Sequence, residues 1–252
     1  MSVEYITSRK NPLLQQVRKL LSSRGERQNA GLFVGDGTKL LEEAVKWYPG
    51  LHTVIVSEER IAADLPESVR LCIVPRDVME SISPMKTPQG ALFLCRMPEK
   101  REPALTPGSL VLDGIQDPGN LGTILRTADA LEVPVILTEG CADPYNWKTV
   151  RASMGAVFRT QPMQATGDWV IEACKKKDIP LAVTALADDA EDIRRARLAE
   201  YAVVIGSEGQ GVGPTLTKHC SRKLIIPMNT RCESLNAGVA ATIVMWQMRS
   251  NL

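Results

Sequence analysis

Apolar positions along the chain fall into two stretches of different rhythm. Asn11-Pro12 opens a predicted helix whose Leu13, Leu14, Val17, Leu20 and Leu21 share one side, the spacing of an amphipathic helix. Gly25 and the polar run 26–31 are read as a break. Leu32-Phe33-Val34 predicts a short strand, Gly35-Asp36-Gly37 a turn, and Leu40, Leu41, Ala44 and Val45 the buried side of a second helix. Apolar runs at 54–56, 71–74 and 91–95 predict further strands, so the first part reads as a small α/β module. Pro98, Pro103 and Pro107 among mixed charges then mark a linker over 98–108, which separates a domain at 1–97 from one at 109–252.

Beyond the linker the strand-like runs are 110–112, 133–137, 181–184, 203–205 and 224–226, with helical stretches between them. They are almost continuously apolar and do not alternate, as expected of strands covered on both faces in a mostly parallel sheet. In such sheets ligands bind outside the carboxyl ends of the strands. The final predicted helix starts after Ser234, read as its N-cap, and runs to about Met248. Val239, Ala240, Ala241, Ile243, Val244, Met245 and Trp246 leave it no clean polar face, which calls for burial on more than one side and favours a second subunit.

Composition narrows the class without choosing a function. The 252 residues are 44% hydrophobic and 23% charged with a net charge of +1, ordinary for a globular protein with a real core. No global field advertises nucleic acid, but the first 27 residues set Arg9, Lys10, Arg18, Lys19, Arg24 and Arg27 against only Glu4 and Glu26. Six cysteines show no Cys-x-x-Cys pair and no grouping with His52 or His219, so no metal is expected and free buried thiols are. No apolar run reaches the length of a membrane span, and the first residues lack a signal-peptide core; the expected compartment is the cytoplasm.

Three loops sit where a parallel sheet presents chemistry. The first is Asp117-Pro118-Gly119-Asn120-Leu121-Gly122, with Asn120 read as a helix cap; beyond it Asn120, Thr123, Arg126 and Thr127 share a face beside the core stripe Leu121, Ile124, Leu125 and Ala128. The second, Gly206-Ser207-Glu208-Gly209-Gln210-Gly211, follows a strand but has neither dinucleotide nor P-loop spacing, which argues against a nucleotide-dependent oxidoreductase. Its glycines allow a close backbone approach to a ligand. The third runs from Ile226-Pro227-Met228 to Ser234-Leu235-Asn236. Between the first two, Lys148 and Arg151 form a cationic pair suited to a phosphate backbone.

Together these loops resemble the motifs of the SpoU (TrmH-like) RNA ribose methyltransferases of the SPOUT superfamily, and Lys148 to Ala156 is similar to the family's Lys-x-x-Arg-x-Ser-x-Gly-Ala. The first 95 residues resemble, less specifically, the ribosomal-protein-like RNA-binding domain often fused in front, with Asp36-Gly37 where that domain usually has Glu-Gly. The resemblance implies an α/β fold with a C-terminal trefoil-knotted SPOUT domain, a bound S-adenosylmethionine and a homodimer. It implies that Asn120, Arg126, Glu208, Ser234 and Asn236 converge on a ribose 2′-hydroxyl and its phosphate. Gly206, Ser207, Gly209, Ile226, Met228 and Leu235 would line the cofactor cleft, with Thr184 at a strand end. Arg126 is the family's candidate base, but a guanidinium keeps its proton near neutral pH, which favours a phosphate and hydroxyl clamp.

RNA contact is expected from Arg9, Lys10, Arg18, Lys148, Arg151 and the segment near Gly31 to Gly37. A separate recognition domain suits a large structured RNA, so ribosomal RNA is expected ahead of tRNA. A non-catalytic RNA-binding or ribosome-assembly factor on the same fold is the alternative.

Overall fold

The structure, a computed structural model, describes residues 3–62, 65–229 and 231–250. Its contacts divide the chain into two compact units, one of residues 1–99 with 145–159 and one of residues 100–144 with 160–252.

In the first unit the chain forms β1 (Val3–Tyr5), α1 (Pro12–Ser22), α2 (Arg24–Ala30), β2 (Leu32–Asp36), α3 (Thr38–Trp47), β3 (Leu51–Val56), β4 (Arg70–Ile73), α4 (Arg76–Ile82) and β5 (Ala91–Arg96). The five strands form one sheet in the order β1-β4-β3-β5-β2, with β5 antiparallel to both its neighbours. Leu13, Leu14, Val17 and Leu20 of α1 pack into its core with Val34, Ile55, Leu92 and Leu94. The expected break after α1 is instead a second helix. Ser23 caps α2 by accepting from the Glu26 amide, Gly31 closes it at φ 63°, and Arg27 is buried with Nη1 donating to the Leu20 carbonyl at 2.6 Å. A short polar helix held by its caps and one buried guanidinium leaves no apolar stripe to read.

The second unit begins with β6 (Leu110–Asp113), α5 (Pro118–Ala130) and β7 (Val135–Leu137). The chain then contributes α6 (Trp147–Ala152) and α7 (Ala156–Arg159) to the first unit. There Tyr145 and Phe158 join a ring cluster with Phe33, Tyr48 and Phe93, and Arg159 pairs with Glu43. The sequence division keeps 109–252 whole; the contact division differs by this aromatic-anchored segment, and its first boundary falls at Glu99.

The chain returns as β8 (Met163–Gln164), α8 (Gly167–Lys177), β9 (Leu181–Thr184), β10 (Glu191–Asp192), β11 (Ala202–Gly206), α9 (Pro214–His219), β12 (Arg222–Ile225) and α10 (Ala237–Arg249). Seven strands form one sheet in the order β10-β12-β9-β11-β6-β7-β8, and every pairing in it is parallel. The α/β class and the parallel sheet match expectation. β6, β9 and β11 are buried along their length and emerge only at their last residues, Asp113, Thr184 and Gly206. Those three residues therefore mark the carboxyl edge at which the loops gather.

Two expected caps shift. α5 starts at Pro118, and its N-cap is Asp117, whose Oδ1 accepts from the Asn120 amide at 2.7 Å. Proline favours the first helical position, so the cap falls on the residue before it and the Asn120 side chain is released. α10 starts at Ala237 with Asn236 as N-cap, accepting from the Gly238 and Val239 amides, so Ser234 lies outside the helix. α10 buries Ala241, Val244, Met245 and Met248, yet Val239, Ile243 and Trp246 are 49%, 36% and 65% exposed.

Candidate active site

The loop after β11 is a tight hairpin. Gly211 donates its amide to the Ser207 carbonyl at 2.9 Å, Ser207 returns the bond at 3.2 Å, and the Gln210 amide donates to Ser207 Oγ. Gly206 lies so close to the far arm that a Cβ there would stand 2.0 Å from the Gly211 carbonyl carbon. Only glycine fits.

Glu208 sits at the tip of this hairpin. Its Oε1 accepts from Asn120 Nδ2 at 2.8 Å and from the Ala237 amide at 2.8 Å. Asn236 Nδ2 donates to Asn120 Oδ1 at 2.9 Å, while Asn236 Oδ1 caps α10. Three segments are thus closed into one polar network by bonds that span 88, 116 and 29 residues, and the side-chain oxygen of each asparagine is used.

Beside the network lies a cavity of about 440 Å³ at the carboxyl edge of the sheet. Thr184, Gly206, Ser207, Gly209, Ile226, Met228 and Leu235, the residues the resemblance assigns to a cofactor, all line it, together with Glu208 and Ser234. Leu186, Thr217, Leu224 and Ala240 also line it and were not assigned to the cofactor from the sequence. Leu186 alone left a usable sign, a large apolar residue two positions past a strand end. The volume lies within the range of small-molecule sites, and the walls are apolar side chains with a glycine-rich backbone edge. These walls suit an adenosine and a thioether-like chain, with hydrogen bonding supplied by backbone groups.

Arg126 is elsewhere. It is exposed on α5 and lines a separate shallow groove with Thr123, Thr127, Thr242, Ile243 and Trp246, and it takes no part in the Asn120–Glu208–Asn236 network. α5 and α10 meet closely beside this groove, where Thr127 and Thr242 hydroxyls lie 3.3 Å apart.

The expected RNA contacts all lie in the first unit, and three of the five already have protein partners. Arg9 Nη2 pairs with Asp77 at 2.7 Å, and Arg18 donates to the Arg9 carbonyl and to Ser81 Oγ. Arg151 Nη1 stands 3.5 Å from Oδ1 of Asp36, a carboxylate 2% exposed, and neither of these buried atoms has a hydrogen bond. Burial pushes the Asp36 pKa up, against the Ser83 hydrogen bond and the Arg151 charge, which pull it down. Lys10 and Lys148 are exposed, the latter with its ammonium 5.7 Å from the Trp147 ring. Within the expected contact segment, Phe33 to Gly37 are buried, and Leu32 to Asp36 pair with β5.

The cysteines are free, three of them buried and Cys232 exposed. Burial raises the Cys72, Cys95, Cys141 and Cys174 thiols, the last to about 11, so none of these four is poised as a thiolate nucleophile. Among the described residues no three His, Cys, Asp or Glu side chains cluster as a metal site, and no helix is long and apolar enough to cross a membrane.

A parallel sheet whose strand-end loops enclose an apolar cavity beside a polar network defines a small-molecule-using α/β protein. Comparison with known proteins gives the family. Residues 107–246 match the SpoU rRNA Methylase family and residues 11–92 the MRM3-like substrate binding domain. The chain is 32% identical to the 23S rRNA (guanosine(2553)-2'-O)-methyltransferase RlmP of Bacillus subtilis, over 98% of this chain and 100% of that one. The crystal structure of an AdoMet-bound rRNA methyltransferase from Sinorhizobium meliloti superposes with a TM-score of 0.87 at 29% identity, covering 99% and 98% of the two chains. The SpoU methyltransferase AviRb from Streptomyces viridochromogenes shares the fold, with a TM-score of 0.85 at 24% identity over 96% and 98%. The protein belongs to the SpoU rRNA methylase family.

Proposed function

We propose that this protein transfers a methyl group from S-adenosylmethionine to a ribose 2′-hydroxyl of structured RNA, with ribosomal RNA as the substrate, in the cytoplasm. The observation that carries the reading is the one cavity that all seven assigned cofactor residues line, beside the Asn120–Glu208–Asn236 network. The full-length similarity to a 23S rRNA methyltransferase supports the choice of ribosomal RNA.

Bound S-adenosylmethionine supplies an electrophilic methyl on a sulfonium, so the protein's part is position and electrostatics. Ile226, Met228, Leu224 and Leu235 present an apolar wall to the cofactor, and the Gly206 to Gly211 backbone presents its polar edge. Asn120 and the Ala237 amide hold Glu208, Asn236 holds Asn120, and Ser234 faces the cavity where the ribose would enter. Arg126 acts as a clamp for phosphate. Lys10 and Lys148, with the already paired Arg9, Arg18 and Arg151, form the RNA-facing charge of the first unit.

The exposed α5–α10 face, with Trp246, Ile243 and Val239, is where a second copy of the chain docks, so Arg126 lies on the dimer face. Family membership supports a trefoil-knotted path for the second unit.

The test is incubation with labelled S-adenosylmethionine and unmodified 23S rRNA or tRNA, followed by digestion to nucleosides. A labelled 2′-O-methyl nucleoside from 23S rRNA, lost in Arg126→Ala with cofactor affinity retained, is the expected result. Transfer to tRNA alone would overturn the substrate, and cofactor binding without transfer to either RNA would favour an assembly factor.

A further inference from the structure

Both ends of the loop that walls the cavity are referred to one residue, the first through backbone pairing and the second through its side chain. Asp113, the last residue of β6, pairs in register with Gly206, where the loop leaves β11. Its Oδ2 accepts from the amide of Gly213, where the loop ends and α9 begins, at 2.7 Å across a separation of 100 residues. Its Oδ1 accepts from Thr138 Oγ1 at 2.6 Å, and Thr138 is itself buried, with its amide bonded to the Leu112 carbonyl. The carboxylate therefore has a fixed orientation, one oxygen held by β7's exit and the other holding the loop. A Cβ on Gly213 would stand 3.1 Å from Oδ2, so the approach is close as well as polar. Asp113 does not line the cavity.

We infer that Asp113, oriented by Thr138, is a positioning residue that sets the base of the 206–213 loop and thereby the cofactor-facing backbone. The tip of the loop is anchored separately, through Glu208 to Asn120 and Ala237. Removing the base anchor leaves the tip network in place, so the loss falls on cofactor affinity and not on turnover at saturation. The inference rests on the cofactor reading given above.

The experiment measures S-adenosylmethionine affinity by calorimetry, and kcat at saturating cofactor, for the full chain and three variants. Asp113→Ala loses a charge-assisted bond and is expected to raise Kd by about tenfold or more, with kcat within about threefold of the parent. Asp113→Asn keeps an acceptor for the Gly213 amide and is expected to restore Kd to within about threefold. Thr138→Val, nearly isosteric, releases the carboxylate and is expected to raise Kd by about threefold to tenfold; should Asp113→Ala not fold, this variant decides. An unchanged Kd in the deciding variant, an Asn variant as weak as the Ala variant, or a fall in kcat matching the loss of affinity overturns the inference. A parent protein that does not bind the cofactor overturns the cofactor reading and this inference with it; a parent that binds, with variants that bind equally well, overturns only this one.

Discussion

Three glycines of one loop give a graded test of the cavity wall, because they differ in why they are glycine. At Gly206 a methyl group would meet the Gly211 carbonyl carbon at 2.0 Å, its oxygen at 2.1 Å and the Val212 nitrogen at 2.2 Å. All three are backbone atoms, so no side chain can swing aside. Reaching ordinary contact needs a movement of about 1.4 Å, enough to break both Ser207–Gly211 hydrogen bonds, now 2.9 and 3.2 Å. Two bonds at about 1 kcal/mol each, with residual crowding of about 1 kcal/mol, give about 3 kcal/mol against the closed hairpin. Carried into cofactor binding, that is a rise in Kd of about a hundredfold.

Gly211 meets nothing within 4 Å but sits at φ +66°, so Gly211→Ala costs only the left-handed conformation, about 1 kcal/mol, and a Kd rise of about fivefold. Gly209→Ala meets no protein atom and has no positive φ, so the hairpin stays closed and its Kd should rise far less than in Gly206→Ala. Calorimetry with S-adenosylmethionine on the three variants reads the series directly. Equal affinities for Gly206→Ala and Gly209→Ala would refute the argument that the hairpin backbone is the wall.

The α5–α10 face is tested by Trp246→Glu: the parent should be a dimer by light scattering at micromolar concentration and the variant a monomer, and a monomeric parent would refute the docking face. For the cap of α10, Asn236→Ala should lose about 1 kcal/mol or more in chemical denaturation, because the Gly238 and Val239 amides lose their acceptor and Asn120 Oδ1 loses its donor; an unchanged stability would remove the cap from the account. Asp36, whose pKa is raised by burial, holds its proton more tightly in the folded chain than in the unfolded one. Unfolding free energy therefore falls as pH rises from the usual carboxylate value of 3.8 through the raised one. Asp36→Asn should accordingly gain melting temperature relative to the parent at pH 7 compared with pH 4, and the opposite trend would show that the Arg151 pair dominates.

Much of the second unit was legible because its signals are local. Continuous apolar runs located five of the seven strands of the parallel sheet, while the two-residue β8 and β10 carry no such run, and Leu121, Ile124, Leu125 and Ala128 are buried on α5 as their spacing requires. The choice of cap was not legible where two capping side chains stand close together: Asp117 and Asn120, or Ser234 and Asn236, are equally able in sequence, and Pro118 or tertiary contact decides. Charge was misread where it is internal. Arg27 is buried against the Leu20 carbonyl, so a basic count over the first 27 residues overstates the charge at the surface. The placement of 145–159 depends on rings at 33, 48, 93, 145 and 158, a grouping that no periodicity reveals.

The candidate site also explains why its polar residues could be recognised and yet not assigned roles from sequence. A sheet whose strands all run parallel returns every loop to the same edge, so motifs far apart must converge there. Convergence does not say which atoms remain available. In the folded chain Asn120 and Asn236 use their side chains on Glu208, on each other and on the α10 amides, so they form the frame that fixes the hairpin tip. That frame closes only when α5, the β11 loop and α10 are all in place, because its bonds span 88 and 116 residues. A packing change under α10 at Val244 or Met245, both fully buried, should therefore weaken cofactor binding without touching the cavity. Arg126 lines the separate α5–α10 groove and takes no part in this frame, so the same packing change should leave its surroundings at the helix surface unaltered.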